Sequence, residues 1–433
     1  MNFVSENLDV NEKGHLTIGG IDTVELKNKY GTPLYVIDEN LVRENIRKYK
    51  TALEKYYDGN GMVLYASKAF SCKYILKVAM SEGAGLDVVS GGELYTALAA
   101  DFPADKIYFH GNNKTADEIT LAIKNNVGRI VVDNISELKK INEIAEKEGK
   151  CQDVMFRIKP GVDAHTHDFI RTGQIDSKFG FALSTGEAME AIKETLKYEN
   201  VKYVGVHCHI GSQIFELEPF CESARIMMKF IKDISEVTGL TTKELNLGGG
   251  FGIKYIDSDD PVPYGSFIES VSKTVKECAK EYNLEIPEIL MEPGRSLVGP
   301  AGITLYTVGA IKEIPDVRTY LSVDGGMGDN PRYILYGSKY SAVIANKADK
   351  PFDTTYTVAG KCCESGDLLM ENAMLQKAQE GDTLAVLATG AYNYSMASNY
   401  NRIPRPPVVA VKDGEDKLIV KRETYDDLIK NDL

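Results

Sequence analysis

Met62–Phe70 reads MVLYASKAF, an apolar run that leads straight into a lone lysine, Lys68, framed by small residues. A short unbroken apolar run of this kind is a strand buried on both faces, as in a parallel sheet flanked by helices. A lysine at the C-terminal end of such a strand is placed for Schiff-base chemistry. Burial disfavours its ammonium form and leaves more of the free amine that condenses with a carbonyl. The competing reading of Lys68 is a solvated strand end, and partners further along the chain must decide between the two.

Working outward, similar runs recur at Leu86–Val89, Lys106–His110, Arg129–Asp133, Val154–Lys159, Tyr203–His209, Glu244–Leu247 and Glu288–Met291, with amphipathic segments such as Glu137–Glu148 and Phe220–Val237 between them. Together with Met62–Ala66 they predict eight strands in βα units, the content of a (β/α)8 barrel. An open doubly wound sheet is the rival, disfavoured because no GxGxxG follows an early strand. Past Arg295 the texture changes. Ile303–Ile311, Thr319–Val323, Thr354–Ala359, Thr383–Leu387 and Val408–Val411 are strand-like and separated by Gly, Pro, Asn and Asp, which predicts a second, β-rich domain. Asn2–Pro33 also reads as extended and is expected to join it. The expected organisation is residues 1–34 packing with the β domain, a barrel over 35–298, and the β domain over 299–433.

The 433 residues are 43% apolar and 26% charged, near globular averages, and no stretch reaches the roughly 18 apolar residues of a membrane span. A net charge of −13 argues against nucleic acid as a partner, because a phosphate-binding surface needs a basic excess. The N-terminal MNFVSENLDVNEKGHL has neither a basic n-region nor an apolar h-region, so no secretory signal is expected. The seven cysteines show no repeated CxxC, and Cys72, Cys151, Cys208, Cys221 and Cys278 read as reduced thiols of a cytosolic protein, with Cys362 and Cys363 a separate matter.

In a barrel the loops after the strands form the active face, so the residues ending each run matter most. The seventh strand runs into Gly248-Gly249-Gly250-Phe251-Gly252. Such a loop lets a phosphate approach backbone N–H groups, although a plain tight turn is the alternative. A phosphate site across the barrel mouth from a Schiff-base lysine points to pyridoxal 5'-phosphate. Glu292, at the end of the eighth strand, offers the carboxylate that keeps a pyridine nitrogen protonated. His209 could stack on the ring. His207 and His209 are not read as a joint ligand pair; no metal is expected, and His207 reads as structural.

These pieces together resemble the fold-type III pyridoxal-phosphate decarboxylases. The resemblance spans nearly the whole chain through Tyr65-Ala66-Ser67-Lys68-Ala69, Asp87-Val88-Val89-Ser90-Gly91-Gly92-Glu93, Thr172-Gly173 with Asp176-Ser177-Lys178-Phe179-Gly180, His209-Ile210-Gly211-Ser212, the glycine triplet and Glu292-Pro293-Gly294-Arg295. It continues through Asp324-Gly325-Gly326-Met327, Asp329-Asn330-Pro331-Arg332, Tyr336-Gly337, Cys363-Glu364-Ser365-Gly366-Asp367 and Gly390-Ala391-Tyr392. It implies that Lys68 carries the cofactor, His209 stacks on it and Glu292 pairs with its ring nitrogen. Ser212, Gly249, Gly250, Gly294 and Arg295 would surround the phosphate, with Tyr392 also reaching the cofactor. Arg295, Arg332 and Tyr336 would hold a distal substrate carboxylate, Glu364 a distal ammonium, and Cys363, supplied by the second subunit of a homodimer, would donate a proton. Lys361-Cys362, where a proline is more usual nearby, and Tyr333-Ile334-Leu335 for a commoner Pro-Ala-Leu depart from the family pattern and bear on loop shape. The implied reaction is decarboxylation of meso-2,6-diaminopimelate to L-lysine, the last step of lysine biosynthesis. The alternatives are another basic amino acid (ornithine, arginine, lysine or carboxynorspermidine) or a non-catalytic cofactor-binding regulator.

Overall fold

The computed structural model describes residues 3–162 and 177–433; Thr172, Gly173 and Asp176 of the motifs above lie outside the described residues. The chain divides into two compact units, one of residues 45–252 and 261–294, the other of residues 1–44, 253–260 and 295–433.

The first unit is a barrel. Its strands are β1 (Gly61–Ala66), β2 (Gly85–Val88), β3 (Ile107–Phe109), β4 (Arg129–Val132), β5 (Gln152–Lys159), β6 (Val201–Cys208), β7 (Glu244–Asn246) and β8 (Glu288–Met291). All pair in parallel, and the sheet closes through β4–β5 and through β8–β1, where Ile289 lies opposite Gly61. Leu64, Tyr108, Val131, Met155, Val204 and Leu290 form one buried cluster inside it. The interior is thus packed with side chains, which leaves chemistry to the loops at the strand ends.

One of those loops is built with particular care. After β1 the chain turns through a single 3-10 turn, Ser67–Ala69. Ser67 Oγ donates to Glu93 at 2.7 Å, and the Val89 N–H donates to the same carboxylate oxygen at 2.9 Å. Tyr65 closes the far side, its hydroxyl donating to the Phe70 carbonyl at 2.7 Å. Glu93 stands in the first turn of the helix Gly91–Leu98, capped by Ser90, so the turn that carries Lys68 is fastened to the start of the next helix.

The second unit is a mixed nine-stranded sheet. Its long strand Gly302–Ile314 pairs antiparallel with Leu34–Asp38, Arg318–Val323 and Thr383–Val386, while Leu34–Asp38 pairs in parallel with Val408–Lys412. Residues 35–44, 253–260 and 295–298, which sequence patterning groups with the barrel, associate with this unit. The N-terminal segment contributes Leu16, Ile18 and Leu26 to the core that holds Leu305, Leu321, Val358 and Leu384. It is not uniformly extended, as its composition predicts. After three short strands it forms the helix Thr23–Tyr30, because the Asp22 carboxylate accepts the Val24 N–H at 2.9 Å and so caps a segment whose Leu26 has a core to enter. Ala342–Ile344, Leu368–Leu375 and Glu415–Val420 are strands that patterning misses, the first because it is only three residues long and the others because polar residues interrupt the runs, and sheet pairing overrides the weak local signal. Among the described residues no helix is long and apolar enough to cross a membrane.

Asp329 anchors the loop that leads to Arg332. It is buried, accepts from Tyr306 Oη at 2.5 Å and from the Gly326 N–H at 3.1 Å, and burial, only partly offset by those bonds, raises it from 3.8 to about 7. Below the unfolded value both states hold the proton. As pH rises toward the folded value the unfolded chain ionises first, so stability drains away from about pH 4 to about pH 7. Asp329→Asn should therefore flatten the decline of melting temperature across this window, as followed by circular dichroism.

Candidate active site

Lys68 Nζ lies 3.9 Å from Asp87 Oδ2, with the lysine side chain 41% exposed and the aspartate 1%. Asp87 is the penultimate residue of β2, and neither of its carboxylate oxygens has a hydrogen-bond partner among the described residues. Burial raises its pKa, an effect that His110 and Lys68 oppose and Glu292 reinforces.

Glu292 immediately follows β8 and is held by groups from three other strand ends. Asn246 Nδ2 donates to its Oε1 at 2.7 Å, His207 Nε2 pairs with its Oε2 at 3.2 Å, and His110 Nε2 approaches Oε1 to 2.8 Å. Burial pushes this carboxyl up, but the two imidazoles more than offset it and hold Glu292 well below the usual carboxylate range. His207 is lowered to about 4 by burial, only partly countered by Glu292, so near neutral pH it is an uncharged ring donating from Nε2. Two buried carboxyls in one site are thus pushed in opposite directions, Asp87 toward the acid and Glu292 toward the anion.

His209 follows β6. Its Nδ1 accepts the Gly249 N–H at 3.3 Å, and burial holds its pKa well below the ordinary histidine value. It is therefore a neutral ring with its proton on Nε2. The glycines after β7 are required by close packing. A Cβ on Gly249 would stand 2.1 Å from the Glu292 carbonyl, and Gly250, at φ +112°, would place one 2.5 Å from the Gly211 carbonyl. Only bare backbone lets the loops after β6, β7 and β8 converge here. Ser212 and Gly294 lie one residue beyond Gly211 and Pro293 in two of these loops.

In the second unit Arg295 and Arg332 are both buried, and their guanidinium carbons lie 4.9 Å and 5.3 Å from the centre of the Tyr392 ring. Arg332 also faces Tyr336 at 5.0 Å, and its Nε has no hydrogen-bond partner among the described residues. Arg295 donates to Tyr255 Oη at 2.5 Å. Tyr392 holds φ at +65°, an unfavourable conformation for a bulky residue, which persists where surrounding contacts over-determine it. Cys363 and Glu364 are exposed on a loop fastened by Asp367, whose carboxylate accepts the Met327 and Cys362 N–H groups at 2.6 and 2.7 Å.

The barrel mouth therefore brings together Lys68, His209, the glycine loop and Glu292. Sequence inspection left Asp87 and His110 without roles, read His207 as structural, and missed Asn246 and Tyr255. The signal for His110 was present in its place at the end of the third apolar run. His207 converges not with His209 but with His110 and Glu292, one polar side-chain atom of each lying within 4.8 Å of the others.

These residues fit pyridoxal phosphate. A buried, ionised carboxylate meets the demand of a pyridine nitrogen, a neutral imidazole meets that of a ring face, and a side-chain-free cradle meets that of a phosphate. Residues 39–299 match the family described as pyridoxal-dependent decarboxylase, pyridoxal binding domain. The chain is 52% identical over 98% of its length to diaminopimelate decarboxylase of Bacillus subtilis, covering 96% of that protein, and 46% identical over 98% to that of Staphylococcus aureus, again covering 98%. A solved diaminopimelate decarboxylase of M. jannaschii in complex with L-lysine superposes with a TM-score of 0.93 at 38% identity, covering 100% of this chain and 99% of that one. The chain belongs to the diaminopimelate decarboxylase family of pyridoxal-dependent decarboxylases.

Proposed function

We propose that this chain, with pyridoxal phosphate, removes the carboxyl group at the D-centre of meso-2,6-diaminopimelate and releases L-lysine and CO2, the closing reaction of lysine biosynthesis. The observation that carries the substrate assignment is the pair of buried guanidiniums on Tyr392, with Arg332 Nε left unpartnered among the described residues. A second amino-acid head group brings a carboxylate to such a clamp, whereas ornithine or lysine brings none.

Lys68 would hold the cofactor covalently, His209 its ring face and Glu292 its ring nitrogen; Ser212, Gly249, Gly250, Gly294, Arg295 and Tyr392 would surround the phosphate. Bound there, pyridoxal phosphate supplies an electron sink for the pair left by the departing carboxyl. Glu292 contributes a fixed anion already paid for by its neighbours' hydrogen bonds, so no reorganisation is needed when charge moves. His209, neutral, covers apolar surface and keeps water away without adding a competing positive charge. Arg332 and Tyr336 would orient the distal carboxylate and Glu364 the distal ammonium.

Cys363 would then return a proton to the same carbon, a task suited to a thiol near neutral pH. Its exposure within one chain supports a homodimer in which each subunit supplies Cys363 and Glu364 to its partner's site. Mixing Lys68→Ala with Cys363→Ala under subunit exchange should then restore about a quarter of wild-type activity, from random pairing under two-fold symmetry. Activity fixed at the mean of the two parents despite proven exchange would refute a shared site. We place the reaction in the cytoplasm, with a small-molecule substrate and neither nucleic acid nor membrane as partner.

Product analysis with meso-diaminopimelate, lysine and ornithine tests the reading directly. Lysine and CO2 should form from diaminopimelate alone; preferential release of a diamine would establish the basic amino-acid alternative. Arg332→Ala should weaken kcat/KM for diaminopimelate by about 2–5 kcal/mol, the cost of leaving one partner of a desolvated charge pair alone. An unchanged preference over ornithine would detach Arg332 from specificity.

A further inference from the structure

His110 stands between the two acids of the barrel mouth. Its Nε2 is 2.8 Å from Glu292 Oε1 and 3.8 Å from Asp87 Oδ1, and its ring meets that of His207 edge-on at 4.8 Å. The short approach to Glu292 is not aligned as a hydrogen bond, and both Asp87 oxygens lack one among the described residues, so a single imidazole is divided between two buried carboxyls. Like charges in one buried site oppose each other, and a neighbour nearer to one of them settles which acid carries the charge. Arg157, Lys68 and Asp133 are the other charged groups in this electrostatic neighbourhood.

We propose that His110 is a positioning residue that acts through Glu292: lying 1 Å nearer to Glu292 than to Asp87, it fixes the negative charge on the carboxylate assigned to the cofactor's ring nitrogen rather than on the one beside Lys68. The carboxylate offers about four acceptor sites. Asn246, His207 and His110 approach three, and the one left on Oε2 is free to take a pyridinium N–H. The proposal rests on the reading that Glu292 faces the ring nitrogen.

The test compares the affinity of the full-length chain, stripped of cofactor and reloaded, for pyridoxal phosphate and for 1-deazapyridoxal phosphate, in which CH replaces the ring nitrogen. Wild type should prefer the natural cofactor by about tenfold to a hundredfold, the range of a charged hydrogen bond. His110→Phe, which keeps a ring but no nitrogen, should shrink that preference by about tenfold while changing the affinity for the deaza analogue little. His110→Gln, which keeps a donor, should recover most of it, and Asp87→Asn, which removes the competing acid, should preserve it. If His110→Phe does not fold by circular dichroism, His110→Leu, which also lacks a donor, carries the same comparison. Parallel loss of both affinities, with the preference intact, would assign His110 a merely structural role and overturn the proposal. Asp87→Asn lowering the preference as much as His110→Phe would overturn it too. A wild type that fails to discriminate would overturn it together with the role of Glu292.

Discussion

Lys68→Ala should leave a folded protein that no longer fixes its cofactor: borohydride treatment, which in wild type should attach a pyridoxyl group to the Lys68 peptide, should label nothing there, and turnover should fall by at least about 10³-fold. The structural reason lies in the turn that holds the lysine. Ser67, Glu93 and Tyr65 anchor Ser67–Ala69 through their own hydrogen bonds, none of which uses the Lys68 side chain. The substitution therefore removes the amine and spares the scaffold, and the melting temperature should move little. Peptide mapping by mass spectrometry gives the decisive reading. A pyridoxyl label on another lysine of the wild type, such as the buried Lys114, would move the catalytic assignment away from the end of β1.

Glu292→Gln is expected to cost about 10²–10³ in kcat, comparable to removing one preorganised charge-stabilising group. The shape is nearly unchanged, and Asn246 can still donate to the remaining carbonyl oxygen. What changes is charge: an amide neither holds a proton on a pyridine nitrogen nor returns the negative potential that His110 and His207 now stabilise. Cofactor affinity should fall much less than kcat, because the lysine, the glycine loop and His209 persist. Full turnover in the cofactor-loaded fraction, combined with poor loading, would mean that Glu292 serves binding and not the electron sink. In that case the opposed shifts of Asp87 and Glu292 would be a structural by-product of burial and of the imidazoles beside Glu292.

Much of this architecture could be read in the chain by itself, for a local reason. A buried parallel strand writes its identity into five or six consecutive residues, and the residue after it occupies the active face wherever the strand falls in the barrel. Lys68, His209, the glycine triplet and Glu292 were found that way, as was the change to β-rich texture after Arg295. Asn2–Pro33 misleads because its helix, capped by its own Asp22, depends on a core built largely by residues beyond 300, which the segment itself does not contain.

The sequence alone determined the order of βα units, the placement of a lone lysine, a glycine loop and a carboxylate at their ends, and with these the family and cofactor. Only the tertiary structure decided what surrounds that carboxylate. His110, His207 and Asn246 come from β3, β6 and β7 and meet Glu292 beside β8 because barrel closure brings strand ends distant in sequence to one mouth. The charge on Glu292 depends on those three neighbours and on burial, quantities set by distance in space, which no spacing along the chain encodes.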